Sequence, residues 1–261
     1  YRLGVDVGGT FTDLLLVNEK TGKTWSAKVP STPADQSIGV LNGIKRVCAN
    51  AGIDPKEIDH VMHGTTVATN TVLTGTGARC GLVTTKGYKQ VLQIARSFVP
   101  GGLGGWVIYN KSLPMAPLAL TIEADERVSA KGEVVRGLNE PALRESLRSL
   151  KSKNIEALTV SLINSFANDG HEKRVRQIAN EELPGVPVSL SSEVVPEMQE
   201  YERTVTTVAN SYVRPRVERY VKNLRAKLNE AAQDVKLSIL RSDGGLASAA
   251  SAEQYPVNLL M

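Results

Sequence analysis

The apolar run Leu3–Val7 breaks at Gly8-Gly9 and resumes at Leu14-Leu15-Leu16-Val17. A third extended stretch follows the polar turn Glu19-Lys-Thr-Gly22. The pattern predicts strands over 2–7, 13–18 and 24–29, and connections this short fit only an antiparallel meander. The period then changes. Ile38, Leu41, Ile44, Val47, Cys48 and Ala51 recur at helical spacing and stop at Gly52, which predicts an amphipathic helix with a glycine end. Asp54-Pro55-Lys56-Glu57 combines an N-cap, a first-position proline and a capping-box glutamate, enough for one helical turn.

Alternation continues with a strand over 59–63, a threonine-rich helix over 65–73 and a strand over 79–84. Residues 120–137 read as a hairpin around Lys131-Gly132. Helix 140–153, strand 155–163, helix 170–183, strand 186–190, helix 198–231 and strand 235–241 follow. Pro215 is expected to kink or split the longest helix, because it lacks an N–H and clashes with the preceding turn. Strands alternating with helices predict an α/β fold with parallel pairing after the opening meander. The glycine-rich stretch Gly101–Trp106 has no period and reads as a lid over substrate or a plain surface loop.

Composition narrows the class. At 261 residues, 41% hydrophobic and 22% charged, the chain fits a globular protein with a sizeable core. Its net charge of +4 is spread among acids along the helices, so neither a nucleic-acid module nor a basic stripe emerges. No apolar stretch reaches the roughly eighteen residues that span a bilayer. There is no basic-then-apolar leader before the strand that starts near Tyr1. The two cysteines, Cys48 and Cys80, form no CxxC pair, and a reducing cytoplasm is the expected home.

Three segments carry chemistry. In Leu3–Asp13, Gly8 and Gly9 allow either a positive φ or close approach of a ligand to the backbone, and their N–H groups suit an anion. Thr10 and Thr12 add hydroxyl donors. Asp6 and Asp13 make best sense beside a hydrated divalent cation. An ordinary two-residue hairpin also uses Gly-Gly, but needs neither the acids nor the threonines. The order is strand, turn, strand, so it is neither a dinucleotide fingerprint nor a P-loop.

The second segment, Val61–Asn70, passes from a strand through Gly64 into a helix start at Thr65 and Thr66, where N–H groups and the helix dipole favour an anion. His63 is placed there as a proton donor or an orienting group. His60 and His63 point to opposite faces of a strand and do not form a metal pair. In the third segment, Asp243-Gly244-Gly245 follows a strand and offers a cation or substrate contact, or a common turn. Asp169 and Glu172, flanking His171, have capping-box spacing.

In this order, Gly4–Asp13, His63–Asn70, Gly81–Tyr88, Leu190–Val194 and Glu200–Thr204 resemble the hydantoinase A/5-oxoprolinase family, within the actin, sugar-kinase and Hsp70 superfamily. The resemblance implies an actin-like ATPase (ribonuclease H-like) α/β lobe, with an N-terminal domain over 1–180 and the start of a second over 181–261. It implies ATP and Mg²⁺ as cofactors. Gly8, Gly9, Thr10 and Thr12, with Asp243, Gly244 and Gly245, would contact the nucleotide. Asp6 and Asp13 would hold the metal, and His63, Thr65 and Thr66 would meet the substrate or transferred group.

The implied activity is ATP-dependent ring opening of a cyclic amide such as a hydantoin, 5-oxoproline or another lactam, with a hydantoinase B-type partner and an oligomeric assembly. Two alternatives stay open: a subunit of an acetone- or acetophenone-type carboxylase, and a non-catalytic nucleotide switch. Ser242-Asp243-Gly244-Gly245 stands where many relatives carry Ser-Asn-Gly-Gly. The family's second phosphate motif is expected beyond Met261, so this stretch alone is expected to bind ATP weakly.

Overall fold

A computed structural model describes residues 1–32, 35–96, 112–232 and 235–260. The Gly101–Trp106 stretch lies outside the described residues. In chain order come β1 (Arg2–Val7), β2 (Phe11–Val17), β3 (Thr24–Pro30), α1 (Gln36–Ala51), β4 (His60–Thr65), α2 (Val67–Leu73) and β5 (Cys80–Thr85). Next are α3 (Val91–Ile94), β6 (Thr121–Ala124), β7 (Arg127–Val128), β8 (Val134–Arg136), α4 (Glu140–Lys151), β9 (Ala157–Ser161) and α5 (Gly170–Glu182). The last are β10 (Val188–Leu190), α6 (Ser191–Val194), α7 (Glu200–Ala231), β11 (Lys236–Leu240), β12 (Leu246–Ser248) and α8 (Ala249–Gln254). Two compact units divide them: Tyr1–Thr76 with Arg216–Met261, and Gly77–Pro215.

The first unit is built on a six-stranded sheet in the order β12-β11-β4-β1-β2-β3. The opening meander is antiparallel, while β4 joins β1 and β11 joins β4 in parallel. Leu3, Val5 and Val7 of β1 and Leu14 and Leu16 of β2 are buried, because alternate strand residues share a face. Against them α1 brings Val40, Ile44 and Val47. The approach is close: a Cβ on Gly43 would fall 2.1 Å from Leu14 Cδ1. Gly52 ends α1 at φ +70°, and the Asp54–Glu57 capping box closes in both directions.

In the second unit β10-β9-β5-β6 form a wholly parallel sheet. Every residue of β5 and β9 is buried, as expected where both faces are covered. Leu158 and Val160 pack into one cluster with Leu143, Leu147 and Leu150 of α4 and Ile178 of α5. The alternate residues Thr159 and Ser161 bond instead to Ser211 and Thr204 of α7. The hairpin expected over 120–137 is only partly present. Thr121–Ala124 pairs with β5, leaving β7 and β8 as the hairpin.

Pro215 does not split α7, which runs helical from Glu200 to Ala231. One proline costs a helix interior ~3 kcal/mol. Val213, Val217, Val221 and Leu224, all fully buried, each return ~1.5–3 kcal/mol on burial, so packing outweighs the lost bond. Burial raises the thiol pKa of Cys48 to about 11 and of Cys80 to about 12, with nearby carboxylates adding to each. Both are free thiols. Among the described residues no helix is long and apolar enough to cross a membrane.

The capping box expected at Asp169–Glu172 is absent. Asp169 makes no side-chain cap bond and pairs with Lys173 instead. Glu172 is fully buried. Its carboxylate accepts from the Leu162 N–H (2.9 Å) and Ser191 Oγ (2.7 Å), and from the Ser192 N–H (2.9 Å) and Oγ (2.7 Å). Buried Arg203 donates to Ser191 Oγ and to the carbonyls of Leu162, Glu197 and Met198.

His171 contacts Glu126 at 2.7 Å, and the Thr85 hydroxyl donates to the same carboxylate. Glu172 therefore ties β9, α5 and α6 together rather than capping a helix. Glu172→Gln replaces acceptors with an amide facing donors and should cost roughly 3 kcal/mol. Asp169→Ala should stay within about 0.5 kcal/mol. Urea unfolding of the two variants separates this account from a capping role, which would reverse the order.

Candidate functional site

The parallel register of β1, β4 and β11 delivers their C-terminal ends to one edge of the first unit's sheet, the place where open α/β sheets take ligands. Val7 lies opposite Thr65, and Asp6 opposite Gly64. Across the antiparallel pair Asp6 faces Asp13, and Asp13 faces Lys28 of β3. The row Gly64-Asp6-Asp13-Lys28 thus crosses the solvent face of the sheet. It lines a cleft of about 700 Å³, together with Met62, Leu240 and Arg46.

The turn between β1 and β2 is held from below. The Gly8 N–H donates to the Phe11 carbonyl (3.0 Å), and the Ser31 N–H to that of Thr10 (2.9 Å). Ser31 Oγ donates to the Gly8 carbonyl (2.8 Å). Thr12 is fully buried, and its hydroxyl meets Ser31 Oγ at 3.0 Å. It braces the turn and does not face outward as expected. Among the described residues the N–H groups of Gly9 and Thr10 have no partner. Neither Gly8 nor Gly9 has a positive φ, which corrects that part of the sequence reading. A Cβ on Gly8 would press to 3.1 Å from the Phe11 carbonyl, whereas one on Gly9 meets nothing within 4 Å. Gly9 faces open space that a ligand can fill.

Lys28 holds both Asp13 oxygens at 2.9 Å, but the pair is half exposed and so contributes at most about 1 kcal/mol. Such a bond yields readily to a phosphate or a cation. Among the described residues the Asp6 carboxylate has no hydrogen bond or ion pair. A Cβ at Gly64 would come within 3.4 Å of its carboxylate, so the glycine keeps that oxygen open. No group of three or more His, Cys, Asp or Glu suited to a metal occurs among the described residues. Two carboxylates do fit magnesium, which keeps most of its waters.

Other expected residues lie elsewhere. His63 sits fully buried on the opposite face of β4, its Nε2 2.6 Å from the Tyr220 hydroxyl. Burial lowers its pKa to about 4, the Val5 backbone opposing part of the shift. It is neutral at working pH, and its ring is turned to Tyr220 and away from the face that carries Asp6. Burial likewise raises the Tyr220 hydroxyl pKa, with Thr65 opposing it.

Thr65 is also buried, and its Oγ1 accepts from the Val67 N–H (3.3 Å) at the start of α2. Thr66 makes no cap bond and accepts from the Asn70 amide. Gly244 adopts φ +83°, and its N–H donates to the Arg241 carbonyl. The Gly245 N–H donates to Asp243 Oδ1, and Asp243 is ion-paired with Arg241 at 2.7 Å. That turn consumes its own donors, so Asp243, Gly244 and Gly245 are not displayed as a second cradle. Lys28 and Tyr220 were missed. Strand parity and the predicted meander place Lys28 beside Asp13, whereas nothing local in the sequence marks Tyr220.

The chain is thus an actin-like α/β lobe that presents a two-strand turn with free backbone donors beside two facing carboxylates. Residues 2–183 match the hydantoinase/oxoprolinase N-terminal region, and residues 203–261 match hydantoinase/oxoprolinase. The chain belongs to the hydantoinase/oxoprolinase family. It is 32% identical over 264 residues to caprolactamase subunit alpha of Pseudomonas jessenii, covering 100% of this chain and 38% of that one. To the acetophenone carboxylase gamma subunit of Aromatoleum aromaticum it is 35% identical over 266 residues, covering 94% of this chain and 35% of the other.

The crystal structure of ATP-dependent caprolactamase from Pseudomonas jessenii superposes with a TM-score of 0.87 at 30% identity, over 99% of this chain and 38% of that one. The chain thus spans little more than a third of these relatives' length.

Burial of neutral His63 has a pH consequence. An unfolded histidine titrates near 6.5 and the folded one at about 4, so between these values the unfolded chain binds the extra proton. Stability should be full above roughly pH 6.5 and fall by roughly 3 kcal/mol on acidification to pH 4. Urea unfolding across this range should show that slope, and His63→Gln should flatten it relative to the parent. Equal slopes in the two proteins would remove the assignment.

Proposed function

We propose that this chain is the phosphate-facing part of an ATP-dependent enzyme that activates a cyclic amide for ring opening. The carrying observation is the Gly8–Phe11 turn, whose unpartnered Gly9 and Thr10 N–H groups stand at the strand edge with the open carboxylate of Asp6. The likeness to a structure named as an ATP-dependent caprolactamase supports the use of ATP by this fold.

An amide carbonyl is a poor electrophile because nitrogen donates into it. Transfer of a phosphoryl group to the amide oxygen breaks one P–O bond and forms another, and so activates the ring carbon toward water. Opening the C–N bond and releasing phosphate uses two waters in all, one for the amide and one for the phosphoryl group. Bound nucleotide supplies the phosphoryl group, and a divalent ion offsets its charge.

The Gly9 and Thr10 N–H groups bind and orient the terminal phosphates. Asp6 and Asp13 would hold a hydrated divalent cation, which would offset phosphate charge, and Lys28 stands beside them to meet the phosphate. Ser31 and Thr12 keep the turn in shape, and Thr65 and Thr66 set the start of α2 beside it. Hydrolysis falls to a hydantoinase B-type partner, in an oligomer housed in the cytoplasm. The acetophenone carboxylase relative, at comparable identity, supports a second reading in which the same cradle activates a ketone or bicarbonate.

Gly9→Val in the complete subunit should leave stability within about 0.5 kcal/mol, because its Cβ meets nothing. ATP affinity should fall about tenfold or more as the branch fills the cradle. Asp6→Asn should lower substrate-dependent ADP release by roughly 10²–10³-fold. Calorimetry with ATP and an ADP-release assay across lactams, and ketones with bicarbonate, check both. Unchanged ATP affinity in Gly9→Val sinks the cradle, and ADP release indifferent to every substrate favours a nucleotide switch.

A further inference from the structure

A second cleft, of about 480 Å³, lies within the first unit between α2 and the second half of α7 and shares no lining residue with the cleft at Asp6. Arg216, Arg219, Tyr220 and Asn223 form one wall, and Asn70 and Thr71 another. Arg216 and Arg219 are three apart on a helix, so their side chains share a face. Among the described residues neither guanidinium has an ion pair or hydrogen bond. Nearby acids are already engaged: Asp35 pairs with Lys227 at 2.5 Å, and Glu218 pairs with Lys222 at 2.5 Å.

Two unneutralised guanidiniums on a concave wall repel each other unless an anion joins them. Their forked donors match the paired oxygens of a carboxylate or phosphate. The Asn70 and Asn223 amides supply further donors suited to the remaining oxygens.

We propose that this cleft binds a small molecule through an oxyanion, carboxylate or phosphate, clamped by Arg216 and Arg219. Tyr220 lines the cleft while its hydroxyl contacts His63, so occupancy there is sensed by β4. The inference is independent of the ATP reading, because the Gly8–Phe11 turn contributes nothing to the cleft.

Calorimetric titration of the chain with inorganic phosphate and with acetate, at ionic strength fixed by chloride, tests it. Saturable binding of at least one anion is expected. Arg216→Gln combined with Arg219→Gln should weaken it about tenfold or more, while Arg225→Gln leaves it unchanged. Tighter phosphate points to a phosphorylated ligand, and tighter acetate to a carboxylated one. In the unsubstituted chain the preferred anion should also protect Arg216 and Arg219, but not exposed Arg225, from phenylglyoxal as read by mass spectrometry. This readout decides the matter if the double variant fails to fold. No saturable binding of either anion, the same number and affinity of anion sites after the double substitution, equal weakening by Arg225→Gln, or equal labelling of the arginines with and without anion would each overturn the proposal.

Discussion

The candidate site depends on how Ser31 holds the β1–β2 turn. Its hydroxyl and N–H satisfy the carbonyls of Gly8 and Thr10, which fixes the peptide planes around Gly9. A buried or constrained backbone satisfies its polar groups where it can. Here two acceptors are bound from beneath while the Gly9 and Thr10 donors stay free. Thr12, buried against Ser31, keeps that hydroxyl aimed. The outward chemistry of the turn is therefore produced by inward bonding from the residue just after β3.

Comparison with the other Gly-Gly turn shows why composition alone cannot identify a cradle. Gly8-Gly9 and Gly244-Gly245 both follow a strand of the same sheet, and both have an aspartate close by. In the second, Asp243 accepts from the Gly245 N–H and pairs with Arg241, so donor and carboxylate cancel within the turn. In the first, Asp6 lies on a strand, one position removed from any closure of the turn, and remains open. The difference is one of hydrogen-bond bookkeeping, not of residue type.

Much of the architecture was legible because burial imposes a period. The opening meander, α1 with its Gly52 stop, the capping box at Asp54 and the alternation of strands with helices all follow from local pattern and appear in the structure. Asp6 and Asp13 were legible as a pair because a short hairpin fixes their register. What failed depended on contacts distant in sequence. Glu172 has capping-box spacing from Asp169, but Ser191 and Ser192 outcompete a helix end for its carboxylate. Of the kink or split expected at Pro215, the split is absent, because buried neighbours outweigh its missing bond. His63 was placed beside substrate by its motif, yet strand parity with Val5 and the packing of Tyr220 turn it inward.

The strings that mark the family accordingly divide into two physical kinds. Leu190–Val194 and Glu200–Thr204 supply Ser191 and Ser192, which donate to the buried Glu172 carboxylate, and Arg203, which donates to Ser191. Gly4–Asp13 supplies a turn with open donors. Open backbone donors of this kind suit an anion whatever molecule carries it, since the N–H groups meet only its oxygens. The Arg216–Arg219 wall lies apart from both kinds: its charge is unmatched within the described chain, and the Gly8–Phe11 turn contributes nothing to its cleft.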